Sequence, residues 1–70
     1  MECLDLHGIK HENARNIIED FILLHSCPME IITGNSLEMQ KFTKEVLDKY
    51  KLYAFHKNFN NIGSVVVVEL

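Results

Sequence analysis

Apolar residues in this 70-residue chain switch between two spacings, and the order of the switches constrains the fold more than any other feature. Leu4 and Leu6 alternate with Cys3, Asp5 and His7, the period of a strand, and Gly8 breaks the run. From Glu12 to Ser26 the period changes. Ala14, Ile17, Ile18, Phe21 and Ile22 recur three and four residues apart and make one stripe of a helix, with Arg15, Asn16, Glu19 and Asp20 opposite. Lys10 and His11 are poor N-terminal caps. Glu12 offsets this through the helix dipole, and Pro28 stops the helix. Met29 to Thr33 reads as a second strand and Gly34-Asn35 as a tight turn. Ser36 then caps a second helix with Glu38 in its first turn. Met39, Phe42, Val46, Leu47 and Tyr50 form its stripe, leaving Lys41, Lys44, Glu45 and Asp48 mostly solvated. Leu52 to Lys57 is a third strand, Asn58 to Gly63 is rich in turn formers, and Ser64 to Leu70 is a fourth strand. The unbroken run Val65-Val66-Val67-Val68 requires a central strand or one covered on both faces.

The order is therefore βαβαββ. Each strand-helix-strand unit is expected to cross over right-handed and give a parallel pair, and the short last connection an antiparallel one. Two helices on one face of a mixed four-stranded sheet make a two-layer α/β sandwich. The length leaves room for a single domain, 1–70. A chain this small buries only about 60% of its unfolded surface. The 47% hydrophobic content still suffices for one core, so disorder is not expected.

No apolar run reaches the ~20 residues of a membrane span, so no membrane partner is expected. The start, Met1-Glu2-Cys3-Leu4-Asp5, lacks the basic and apolar regions of a secretion signal, which makes a cytoplasmic setting the expectation. Two cysteines, Cys3 and Cys27, are too few for a disulfide scaffold and read as reduced, small apolar residues. With His7, His11 and His25 they match no standard zinc spacing, so no structural metal is expected. His25 instead suits the negative end of a helix.

The net charge of −3 does not mark a strong nonspecific nucleic-acid binder. The charge is uneven, however. Residues 1–35 carry Lys10 and Arg15 against six acids, whereas residues 36–70 carry Lys41, Lys44, Lys49, Lys51 and Lys57 against four. Any basic surface belongs to the second half.

Ligands in parallel α/β units gather at the carboxyl ends of strands. Two polar clusters fall there: Asp5-Leu6-His7-Gly8, and Thr33-Gly34-Asn35-Ser36. Asp5 and His7, two apart on a strand, are expected on one face. A carboxylate beside an imidazole fixes its tautomer and suits it to acid–base work on a phosphodiester. The alternative is that Asp5 caps the local backbone and His7 is a surface or turn residue. The second cluster either cradles a phosphate with its amides at the positive end of the second helix, or is an ordinary turn with Ser36 as cap. Lys41, Lys44, His56 and Lys57 fit a flanking phosphate-contacting surface, and a solvated helix face explains the lysines equally well. Tyr53, Phe55 and Phe59 read as core or loop anchors before base-stacking residues.

Leu4-Asp5-Leu6-His7-Gly8, followed by an amphipathic helix, resembles the LDLHG signature of Smr (small MutS-related) domains. Thr33-Gly34 resembles the opening of that family's second motif, and Gly63-Ser64-Val65-Val66-Val67-Val68-Glu69-Leu70 resembles its closing strand. The likeness covers nearly the whole chain. Ser36 stands where the second motif closes with glycine. The resemblance implies a βαβαββ fold and binding of RNA or DNA, with endonuclease activity in some members. It marks Asp5, His7, Gly8, Thr33 and Gly34 as the candidates for activity, with Asp5 and His7 catalytic. From the residues themselves, Asn35, Ser36, Lys41, Lys44 and Lys57 join Gly8, Thr33 and Gly34 as the expected nucleic-acid contacts. No resident cofactor is expected, with a divalent metal left open as an aid to cleavage. Since such domains often form the tail of a larger protein, a larger partner acting in trans is also expected. A non-catalytic nucleic-acid- or protein-binding adaptor is the alternative.

Overall fold

Six elements follow in the order β1 (Glu2–Asp5), α1 (His11–Leu24), β2 (Met29–Ile32), α2 (Leu37–Lys49), β3 (Tyr53–Phe55) and β4 (Ser64–Val68). The structure is a computed structural model, and it describes residues 1–57 and 62–69. Asn58, Phe59, Asn60, Asn61 and Leu70, read above as turn, aromatic anchor and strand end, lie outside the described residues. The four strands form one mixed sheet in the order β1-β2-β4-β3, with both helices layered on one face.

The expected parallel pairing holds for the first unit only. β1 pairs parallel with β2, from Glu2↔Met29 to Asp5↔Ile32. β2 and β3 do not pair. β4 lies between them, antiparallel to both. β3 still runs in the direction of β2, but one strand further out. The physical reason lies in composition. A middle strand is covered by neighbours on both edges, which suits the valine run. β3 offers only Tyr53, Ala54 and Phe55, all exposed, and is left at the edge.

The core lies between sheet and helices. Ala14, Ile18, Phe21 and Ile22 from α1 meet Met39, Val46 and Leu47 from α2 over Leu6, Met29, Ile31 and Val67. These are the residues of the expected stripes, with Ile17, Phe42 and Tyr50 at their half-buried margins. Tyr53 and Phe55 correct the reading of them as core: each is 52% exposed. Both helices lie on the other face of the sheet from Tyr53 and Phe55, and an edge strand loses shelter on its outer side too.

Helix ends are set locally. Lys10 makes no side-chain cap at α1, whereas Ser36 Oγ accepts the Met39 N–H of α2 at 3.2 Å. α1 ends at Leu24, short of the cis Cys27–Pro28 bond. At the end of α2, Leu52 N–H donates to Leu47 C=O (2.9 Å) and Lys51 N–H to Asp48 C=O (3.1 Å), with Lys51 at φ 57°. This pair of bonds is a Schellman closure with lysine where glycine is usual.

Arg15 and Glu19 are not simply solvated. They face α2, where Arg15 Nε donates to Glu45 at 2.8 Å and Lys49 Nζ to Glu19 at 2.8 Å. The Arg15 guanidinium also lies 4.2 Å from the centre of the Phe42 ring. The hydrogen bond from Arg15 holds the Glu45 carboxyl below the usual carboxylate range, and that from Lys49 does the same for Glu19. Exposed pairs of this kind align helices more than they stabilise them.

Two substitutions test these positions by urea denaturation. Lys51→Gly relieves the left-handed backbone and is expected to stabilise by about 0.5–1 kcal/mol. Gly63→Ala places a Cβ 3.2 Å from the backbone of Gly34, so it is expected to destabilise by about 1–3 kcal/mol.

Candidate functional site

Parallel pairing brings the carboxyl ends of β1 and β2 to the same side of the sheet. The last bond between them runs from Leu6 N–H to Ile32 C=O at 2.9 Å, and both chains then turn away. The clusters Asp5–Gly8 and Thr33–Ser36 are therefore neighbours in space, as their places in sequence predict.

The first cluster is a turn. Ile9 N–H donates to Leu6 C=O at 3.0 Å, and Gly8 sits at φ +80°, the angle required at the third residue of a type II turn. Leu6 is 2% exposed and anchors the turn to the core, while His7 stands exposed at its second position. Asp5 Oδ1 accepts the main-chain N–H of His7 at 2.9 Å. The strand ends at Asp5, so alternation does not set the direction of His7. The shared-face expectation gives way to the alternative: Asp5 caps the backbone that presents the imidazole, and its recorded bond is to the amide, not the ring.

The second cluster leans on β4. Thr33 and Gly34 both donate their N–H to Gly63 C=O, at 2.8 and 3.0 Å. Thr33 Oγ1 lies 3.0 Å from Gly34 C=O and 3.3 Å from Gly63 C=O, and the residue is 5% exposed. Gly34 adopts φ +66°, and the backbones of Gly34 and Gly63 pass too closely for an unstrained Cβ at Gly63. Two amides expected to cradle a phosphate are thus engaged within the fold. Asn35 is the exposed residue of this turn, and Ser36 serves as cap.

The lysines separate. Lys41 is exposed on α2, and Lys57 is exposed after β3. Lys44 lies 3.5 Å from Asp48 and lines a cleft of about 290 Å³ together with His56 and Thr33. Asp5 and His7 take no part in that cleft. Gln40 and Thr43, which also line it, went unremarked in the sequence, and Asp48 was read only as solvated. The signal was there: 40, 43, 44 and 47 follow helical spacing, but the stripe beginning at Met39 is more apolar and hides it.

The thiols are poor nucleophiles. Both cysteines are free. Desolvation, then the charges of Glu30 and Asp5, push the Cys3 thiol up, and desolvation raises Cys27 as well. Cys3 is exposed because it lies on the helix-free face of the edge strand β1. Cys27 packs against the core, and the His25 ring lies 4.7 Å from that of Phe21. Among the described residues no group of three or more His, Cys, Asp or Glu is placed to hold a metal ion, and no helix is long and apolar enough to cross a membrane.

Comparison with family models, with curated proteins and with solved structures finds no match for this chain. Its residues and their geometry carry the functional argument.

Asp5 separates structure from charge. Asp5→Ala removes the acceptor for His7 N–H and is expected to cost about 0.5–1.5 kcal/mol in urea denaturation. Asp5→Asn keeps Oδ1 and is expected to restore most of that stability.

Proposed function

We propose that this chain is a nucleic-acid-binding domain of the Smr type, with His7 as the acid–base group of a phosphodiester-cleaving site. The observation that carries the reading is the junction at Leu6 N–H and Ile32 C=O. It sets the Asp5-Leu6-His7-Gly8 turn beside Thr33-Gly34-Asn35-Ser36, so the two segments that resemble Smr motifs form one site.

In this site His7 has an exposed ring on a rigid turn. Its neutral nitrogen accepts the proton of the attacking hydroxyl, either water or a ribose 2′-OH. The imidazolium then returns a proton to the leaving oxygen. Asp5 acts as a positioning residue through the main chain. Asn35 and the positive end of α2 face the phosphate, with Lys41 and Lys44 further along the same helix as cationic contacts and Lys57 beyond β3. A divalent metal is not required by this chemistry and enters as a variable of the assay. The setting proposed is cytoplasmic, where two free thiols stay reduced.

Binding without cleavage is the second reading, and three hydrogen bonds favour it. The Asp5 carboxylate is engaged with an amide instead of the imidazole, and the amides of Thr33 and Gly34 are engaged with Gly63. A larger protein acting in trans would then supply the chemistry.

The test incubates wild type and His7→Ala with end-labelled RNA and DNA, single- and double-stranded, with and without divalent metal. Cleavage by wild type, reduced at least ~100-fold in His7→Ala, is the expected result. Salt-dependent retention with intact products in both proteins selects the second reading. Neither binding nor cleavage overturns the proposal.

A further inference from the structure

The helix layer stops short of the outer edge of the sheet. Along one cross-strand row Met29 and Val67 are 1% and 0% exposed, yet Ala54, the next residue of that row, is exposed. The 290 Å³ cleft fills this uncovered strip beside α2. Its volume is at the small end for a ligand site.

The floor of the cleft is apolar, formed by Leu47, Leu52, Ala54 and Val65. Three side chains of the rim keep open acceptors. Gln40 Nε2 donates to Gly34 C=O at 3.3 Å, which leaves Oε1 to accept. Thr43 Oγ1 donates its only proton to Met39 C=O at 2.8 Å and keeps its lone pairs. His56 Nδ1 lies 3.1 Å from Ser64 C=O. A carbonyl only accepts, so Nδ1 carries a proton, and in the neutral form of the ring Nε2 is then an acceptor. Asp48 adds a carboxylate, and Lys44 beside it is the cation of the rim. A flat ring with N–H donors on its edge suits this combination. Thr33 belongs both to this rim and to the turn that ends β2, so a strand held at that turn passes beside the cleft.

We infer that the cleft between α2 and β3 takes an unpaired nucleobase bearing an exocyclic amino group, delivered by a strand bound at the adjoining ends of β1 and β2. The inference rests on the nucleic-acid reading above for the delivery, and on the cleft alone for the base. The apolar floor covers the ring, two of the acceptors offered by Gln40, Thr43 and His56 receive the two N–H of the amino group, and Lys44 stands near the sugar-phosphate.

The test is an amide-resolved NMR titration of the intact chain. The probes are adenosine, cytidine and uridine 5′-monophosphates and ribose 5-phosphate, followed by a single-stranded oligonucleotide. Adenosine and cytidine monophosphates are expected to shift the amides of Gln40, Thr43, Leu52, Ala54 and His56. Uridine monophosphate is expected to bind about fivefold more weakly, the size of one hydrogen bond. Ribose 5-phosphate is expected to leave these amides unmoved. Ala54→Leu fills the strip from an exposed position and is expected to abolish the shifts. Should that variant not fold, His56→Leu is expected to weaken them about fivefold. Equal responses to ribose 5-phosphate, equal or tighter binding of uridine monophosphate, or no shift at the cleft overturns the inference. An oligonucleotide that moves amides around His7 and Asn35 but not the cleft overturns it too, and leaves the reading of the turns standing. Mononucleotide shifts at the cleft with no oligonucleotide binding support the base site and overturn the reading of the turns instead.

Discussion

The bonds from Thr33 and Gly34 N–H to Gly63 C=O hold the rest of the molecule in register. They join the end of β2 to the start of β4 at the point where one strand leaves the sheet and the other joins it. With that junction made, Ile32 pairs with Ser64 and the ladder runs on to Met29 and Val67. A slip of one residue would turn Ile31 and Val67 out of the core. Gly63 permits the close passage because it carries no Cβ, and Gly34 supplies the positive φ of the turn. The same contact turns two amides inward, so the junction that specifies the sheet also shapes the surface available to a ligand.

The placement of β4 has a second consequence. By separating β2 from β3 it leaves the shortest strand at the edge of the sheet, bordering α2. A strip of sheet beside the helix is then left open, and the polar side chains of α2 that border it are Gln40, Thr43, Lys44 and Asp48. The site at the β1/β2 ends and the cleft at the edge share Thr33. They are two sides of one feature, the return of the chain from β2 into α2.

The first turn of the site was legible residue by residue. Gly8 marked the positive φ, Leu6 marked the anchor, and Asp5 was open to two readings, of which backbone capping is the one seen. Ser36 was legible as a cap because a hydroxyl before a helix has one favoured partner, the third amide onward. Lys51 was not legible: nothing in a lysine announces a left-handed closure, and only the Leu47–Leu52 bond reveals it. The pairing of Arg15 and Glu19 with α2 was not legible either, because a hydrophobic stripe does not show which polar flank will face a second helix.

The sequence by itself determined the kinds and order of the elements, the stripes that make the core, and which residues turn the chain. Those properties depend on spacing and on the backbone preferences of single residues, both of which are local. The tertiary structure decided the strand order, the exposure of Tyr53 and Phe55, the engagement of the Thr33 and Gly34 amides, and the cleft around Lys44 and His56. Each of these depends on which strand lies beside which, and several strand orders satisfy the same alternation of apolar residues. The order with β4 in the middle is the one that shelters the valine run on both edges.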